Sequence, residues 1–198
     1  MGERIVIVKY NAGNIQSVLY ALERIGEQAV VTDDHEQIRQ ADKVIFPGVG
    51  EASSAMAYLK ERGLDQVLKE LKQPVLGICL GMQLMCRHSE ENDTECLGIF
   101  DEPVIRFVAG DSGMKIPQIG WNRVVETSSP LFKGINDGSY FYFVHSYYAA
   151  RGAHTIGVAD YIQPYSAALH QGNFYGVQFH PEKSAVAGEQ LLRNFLSF

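Results

Sequence analysis

The chain has 198 residues, 46% of them apolar and 20% charged, and a net charge of −6. One hydrophobic core can serve a chain of this length, since cores stop growing only near about 250 residues. A mildly acidic surface with no run of Lys or Arg leaves no footprint for nucleic acid, and no stretch approaches the roughly 20 apolar residues that span a bilayer.

Cys79, Cys86 and Cys96 are an odd number and form no Cys-x-x-Cys pair. A disulfide framework is not expected, zinc would lack ligands, and no metal or cofactor site is predicted. Residues 1–8 enter an apolar stretch at once, but only for the length of a strand, too short for a secretory apolar region and its cleavage site. The expected location is the cytoplasm, where thiols stay reduced and a thiolate is available for chemistry.

In chain order, residues 5–8 form a continuous apolar run, as in a strand buried on both faces. Residues 14–25 carry Ile15, Val18, Leu19, Leu22 and Ile25 at helical spacing. Short strands are predicted at 29–31 and 44–46, the second stopped by Pro47-Gly48. Residues 52–71 read as helix with a break near Gly63. A fourth strand at 75–78 runs directly into a helix at 80–88. Strands alternating with helices predict an α/β fold with a mainly parallel central sheet and flanking helices. The second half reads as short strands at 104–107, 123–126, 140–144, 155–159, 166–170 and 174–179. Gln171-Gly172-Asn173 is a hairpin-type turn between the last two. An amphipathic helix at 188–198 closes the chain. No linker separates the halves, so a single domain over 1–198 is expected, with an antiparallel extension.

The sharpest local feature is Gly77-Ile78-Cys79-Leu80-Gly81-Met82-Gln83. A strand ends, a cysteine follows and a helix starts, with glycine two residues away on either side. This is the pattern of a nucleophile elbow with Cys in place of Ser. A helix N-terminus favours thiolate and supplies N–H groups to an oxyanion. The competing reading is a buried core cysteine, which is common. Cys86 and Cys96 lack the setting. A cysteine nucleophile needs a base, and His180 ends an apolar strand, with Pro181 blocking its continuation and Glu182 placed to orient the imidazole. His145 is the runner-up base. Pro47-Gly48-Val49-Gly50 follows another strand, at the edge where the loops of a parallel sheet converge, and can aim backbone N–H groups at an oxyanion.

Together the cysteine elbow, the Pro-Gly-Val-Gly loop and His-Pro-Glu-Lys-Ser resemble the class I (triad) glutamine amidotransferases, over essentially the whole chain. Tyr10-Asn11-Ala12-Gly13-Asn14, Gly120-Trp121-Asn122 and His145-Ser146-Tyr147 are similar to the glutaminase subunits of imidazole glycerol phosphate synthases, of histidine biosynthesis. Lys9 departs from that pattern, where an acidic residue is commoner, but lies outside the catalytic set.

The resemblance implies a flavodoxin-like fold and a glutaminase. Cys79 would attack the carboxamide of L-glutamine, His180 would move the proton, and Glu182 would orient His180. The oxyanion would be held by the Leu80 N–H and a second donor among Gly48, Val49 and Gly50. Gly50, Glu51 and Gln83 would lie along the substrate, with Ser146 and Tyr147 as backbone contacts. The partner implied is a separate (β/α)8-barrel cyclase, since the chain is too short to contain a barrel of about 250 residues. Asn11, Trp121, Tyr142 and Lys183 match interface positions, although the only Trp is equally suited to a core. The glycines on both sides of Val49 also leave that peptide free to rotate, so the oxyanion hole is expected to complete only when the partner holds its acceptor. The alternatives are another amidotransferase subunit, of anthranilate synthase type, or a cysteine hydrolase on the same fold.

Overall fold

The structure, a computed structural model, describes residues 3–198. The first half runs β1 (Ile5–Val8), α1 (Ile15–Arg24), β2 (Ala29–Thr32), α2 (His35–Arg39), β3 (Lys43–Gly48), α3 (Ala52–Glu61), α4 (Leu64–Glu70), β4 (Val75–Cys79) and α5 (Leu80–Met85). The second half runs β5 (His88–Ser89), β6 (Thr94–Glu95), β7 (Pro103–Arg106), β8 (Gln118–Val124), β9 (Ser139–His145), β10 (Tyr147–Ala149), β11 (Thr155–Tyr161), β12 (Gln163–Gln171), β13 (Phe174–Val177) and α6 (Ala185–Leu196).

The sheet order is β2-β1-β3-β4-β13, all parallel, and then β12, β10 and β7 by antiparallel pairing. The parallel part has the flavodoxin-like order, in which ligands sit outside the carboxyl ends of the strands. Strand β13 comes from near the far end of the sequence and lies beside β4, so residues about 100 apart in the chain meet at the carboxyl ends of two adjacent strands. A separate antiparallel ribbon, β8 with β9, packs over those ends.

Side chains alternate across β1, and the core divides accordingly. Val6 and Val8 join Val44, Phe46 and the inner faces of α3, α4 and α5. Ile5 and Ile7 join Ile45, Ile78, Leu22 of α1, Leu191 and Phe195 of α6, and Phe141 and Phe143 of the ribbon. Both faces of the parallel strands are therefore covered, which is why they read as unbroken apolar runs.

Several boundaries differ from the sequence reading. Strand β3 continues through Pro47 to Gly48, since Pro47 pairs with Ile78 and Gly48 with Cys79, whereas pairing to β1 ends at Ile45. Pro47 lies where one side of the strand has already lost its neighbour, the place a sheet tolerates proline. Helix α5 ends at Met85 instead of running to residue 88, because Cys86 is extended, with φ −67° and ψ 176°, and His88-Ser89 becomes a short strand. The strand expected at 123–126 starts at Gln118 and ends at Val124, so the Gly120-Trp121-Asn122 motif lies within it. The break at Gly63 and the two-residue turn at Gly172-Asn173, with Gln171 paired to Phe174, match the expectation.

Candidate active site

Cys79 closes β4 with φ 54° and ψ −107°, a left-handed conformation unusual for a side chain with Cβ, and Leu80 begins α5 at once. The flanking glycines are required by contact. A Cβ on Gly81 would fall inside the Phe46 carbonyl, and one on Gly77 would strike the Met85 side chain and come within 2.9 Å of the Met82 nitrogen. The elbow is thus pressed against β3 and its own helix, which turns the thiol out of the sheet.

Three adjacent strand ends supply the site. Gly48 is registered with Cys79 on one side, and Val177 with Ile78 on the other, so His180 emerges three residues past the last pair. Gly188, beneath this turn, has no room for a Cβ, which would meet the Pro181 carbonyl and Ser184. Helix α6 therefore seats directly under His180-Pro181-Glu182. His180 and Glu182 are 1% and 6% exposed. His180 Nδ1 donates to Glu182 Oε1 at 2.7 Å, and the same oxygen accepts from Asn14 Nδ2 at 2.5 Å. That fixes the tautomer and leaves Nε2 as the free nitrogen. Nε2 is buried without an aligned hydrogen-bond partner, and the Cys79 thiol stands beside the ring. Burial opposes charge on His180, but the adjacent Cys79 sulfur and the Glu182 carboxylate outweigh it and raise its pKa above the ordinary range.

A cleft of about 280 Å³ opens over the sulfur, lined among others by Val49, Gly50, Leu80, Gln83, Ser146 and Tyr147. Gly48 is buried, whereas Val49 and Gly50 are exposed, and the Val49 carbonyl accepts from Gly13 N–H at 3.1 Å. Glu51 is not among the lining residues. Its carboxylate accepts from Ser53 and Asn92, and Glu91 faces the cleft in its place. Burial raises the Glu91 carboxyl above its usual range, partly offset by the Ala52 N–H that it accepts at 2.7 Å. A larger, open depression of about 760 Å³ lies at the opposite ends of the strands, beside Arg4 and Asp42, and holds no cysteine or histidine.

His145 lines the cleft but is engaged at both nitrogens. Nδ1 donates to the Tyr147 carbonyl at 2.7 Å, and Nε2 faces Tyr165 Oη at 3.2 Å and Gln118 Oε1 at 3.1 Å. Burial lowers its pKa to about 4, so it is neutral and unavailable as the base. Cys86 and Cys96 are buried thiols whose pKa burial pushes up, Cys96 to about 12. Trp121 is 52% exposed and meets Tyr142 edge-on at 6.0 Å, which removes the core reading of the tryptophan. Lys183 is exposed, and Asn11 is exposed with its amide on the Ser54 carbonyl at 3.2 Å.

Sequence reasoning did not single out Asn14, Glu91 or Gln178. Asn14 had a signal, as an asparagine after glycine just before the first helix, and it sits at φ 79° as the residue preceding α1. Glu91 had none, since its place on the cleft depends on a tertiary contact with the start of α3.

A cysteine on a strand-to-helix elbow, beside a buried histidine–carboxylate pair at the carboxyl edge of a flavodoxin-like sheet, defines a thiol-dependent α/β enzyme. The profile described as "Glutamine amidotransferase class-I" matches residues 6–197. The chain belongs to the class-I glutamine amidotransferase family. Its relatives include proteins named imidazole glycerol phosphate synthase subunit HisH. That of Bacteroides fragilis is 58% identical over 193 residues, covering 98% of both chains. That of Pectobacterium atrosepticum is 48% identical over 195 residues, again covering 98% of both. Among solved structures, a GMP synthase subunit of Thermoplasma acidophilum has a TM-score of 0.75 at 17% identity, covering 100% of this chain and 94% of that one. PurLQS from Thermotoga maritima has a TM-score of 0.73 at 16% identity, covering 100% and 99%. These last two define the fold alone.

Proposed function

We propose that Cys79, His180 and Glu182 hydrolyse L-glutamine, and that the ammonia passes to a separate (β/α)8-barrel cyclase docked on the Trp121 face. The chain is a glutamine amidotransferase, the glutaminase subunit of imidazole glycerol phosphate synthase in histidine biosynthesis. We read it as one domain over 1–198, working in the cytoplasm as part of a heterodimer. Among the described residues no helix is long and apolar enough to cross a membrane.

The chemistry follows from the free nitrogen. His180 Nε2 takes the thiol proton, and the sulfur attacks the carboxamide carbon. The oxyanion is held by the Leu80 N–H and by a donor of the Gly48–Gly50 loop. Collapse of the tetrahedral adduct breaks the C–N bond, and His180 returns its proton to the departing ammonia. Water then attacks the glutamyl thioester, His180 accepts its proton, and glutamate leaves as the thiol is restored. Glu91 is the acidic side chain on the cleft, suited to the substrate α-ammonium. Gln83, Gly50, Ser146 and Tyr147 complete the substrate surface, and Glu51 supports it through Ser53 and Asn92. Asn11, Tyr142 and Lys183 join Trp121 on the partner face.

The observation that carries this reading is the buried 2.7 Å pair of His180 and Glu182 beside a cysteine on a strained elbow. The test is a diazo-ketone analogue of glutamine with the labelled peptide identified by mass. Label on Cys79 is expected; label on Cys86 or Cys96, or none, refutes the site.

A further inference from the structure

Gln178 is fully buried one residue past the end of β13, next to the elbow. Its amide Nε2 donates to Cys79 Sγ at 3.7 Å. Its Oε1 accepts from Gln83 Nε2 at 2.9 Å, and Gln83 Nε2 also donates to the Tyr147 carbonyl at 2.8 Å. The direction of this relay is not arbitrary. A backbone carbonyl only accepts, so the end of Gln83 that faces Tyr147 must be its nitrogen. That nitrogen also meets Gln178, so the atom it meets there must be oxygen. The other end of the Gln178 amide, facing the sulfur, is then an N–H donor. One fixed acceptor sets the direction of two amides.

Besides His180 and Gln178, the sulfur has the Val144 carbonyl at 3.8 Å as a polar neighbour, which accepts from the resting thiol. Once the proton is gone that carbonyl can only repel, and the Gln178 N–H becomes the matching group. A hydrogen bond to an ion is about twice as strong as one between neutral groups, so the contact favours thiolate over thiol.

We propose, on the reading that Cys79 is the nucleophile, that Gln178 is a further catalytic residue, whose N–H is aimed by Gln83 and the Tyr147 carbonyl to hold the sulfur as thiolate. Gln83 also lines the cleft, so substrate binding and this relay share one side chain.

The test measures the rate of iodoacetamide modification of Cys79 against pH, in the full-length chain, with the modified peptide mapped by mass. In Gln178→Met the midpoint of the profile is expected to rise by about one pH unit, and in the complex with the partner subunit and its acceptor kcat for glutamine is expected to fall about tenfold with KM staying within about twofold. Gln178→Glu places a carboxyl oxygen on the sulfur and is expected to move the midpoint further than Met does. Gln83→Met frees the Gln178 amide to turn, so it shifts the midpoint the same way, and the double variant goes no further than Gln178→Met alone. A structural role would lower stability without this ordering. Should Gln178→Met not fold, Gln178→Glu and Gln83→Met decide. Folded variants that keep the wild-type midpoint overturn the proposal. Diazo-ketone labelling of the wild type separates the two levels: no label on Cys79 removes the nucleophile itself, whereas label with unmoved midpoints removes only the role of Gln178.

Discussion

The main chain of Tyr142 grips His180 from both sides. The His180 N–H donates to the Tyr142 carbonyl at 2.9 Å. The Tyr142 N–H donates to Ser184 Oγ at 3.0 Å, which in turn donates to the His180 carbonyl at 2.6 Å. Strand β9, whose Tyr142 ring carries the exposed Trp121 edge-on, therefore sets where His180 sits. Ser184→Ala removes two of the three links and leaves buried groups unpaired, which costs about 1–3 kcal/mol. Urea unfolding is expected to register that loss, and glutaminase kcat to fall about tenfold or more as His180 drifts from the sulfur. Full activity in Ser184→Ala would show that the ribbon does not position the base.

Much of this site could be read from the residues because its parts are local. The elbow, the His-Pro-Glu turn and the Gly-Val-Gly loop each announce themselves within seven residues, and the apolar runs of β1, β3 and β4 say that one parallel sheet carries two of them. What the residues could not give is adjacency. That β13 lies against β4, and so brings His180 to Cys79, depends on a register set by the packing of both core faces. The same gap hid Glu91, which reaches the cleft through the Ala52 N–H, and Gln178, whose role depends on Gln83 being buried opposite it. Pro47 misled for a related reason: whether proline ends a strand depends on which neighbour that strand has already lost.

Gly81→Ala tests the claim that contact shapes the elbow. The added methyl has no space against the Phe46 carbonyl, which is strand backbone and cannot swing aside as a flexible side chain could. A loss of about 3 kcal/mol is expected in chemical denaturation, together with loss of Cys79 labelling by the glutamine analogue. A stable, labelled variant would mean that the helix can retreat from β3.

His145 should govern the acid side of the stability curve. Its folded-state pKa is lowered from 6.5 to about 4 by burial, so the unfolded chain binds the extra proton between those values. Stability from this group is therefore fully present above pH 6.5 and is lost as the pH falls toward 4, by about 3 kcal/mol in all. Urea midpoints at pH 7, 6 and 5 are expected to fall more steeply for the wild type than for His145→Gln. Parallel curves would mean that the imidazole is charged or solvated in the folded chain.

Trp121 tests the partner face. An indole about half exposed on a two-stranded ribbon is a large apolar surface with little local reason to be there, and such rings anchor interfaces. Trp121→Ala is expected to weaken association with the proposed cyclase partner by about 2 kcal/mol, roughly 30-fold in Kd, and to leave the melting temperature of the isolated chain nearly unchanged. A large drop in melting temperature with intact binding would return the ring to a structural role.

Tyr10 presents the opposite balance. Its ring packs against Phe46 at 5.1 Å between centroids, but its hydroxyl is buried over Gly48 with no hydrogen-bond partner, and burial raises its pKa. An orphaned hydroxyl costs about 1–3 kcal/mol, so Tyr10→Phe, which keeps the ring and deletes only the oxygen, should stabilise the chain by about 1 kcal/mol. At this chain length that is a rise of about 2–4 °C in Tm. A fall in Tm instead would mean that the hydroxyl is satisfied in solution, by an ordered water against the Gly48 backbone. Because Gly48 leads into the loop proposed to supply an oxyanion donor, that water would then belong to the architecture of the proposed site.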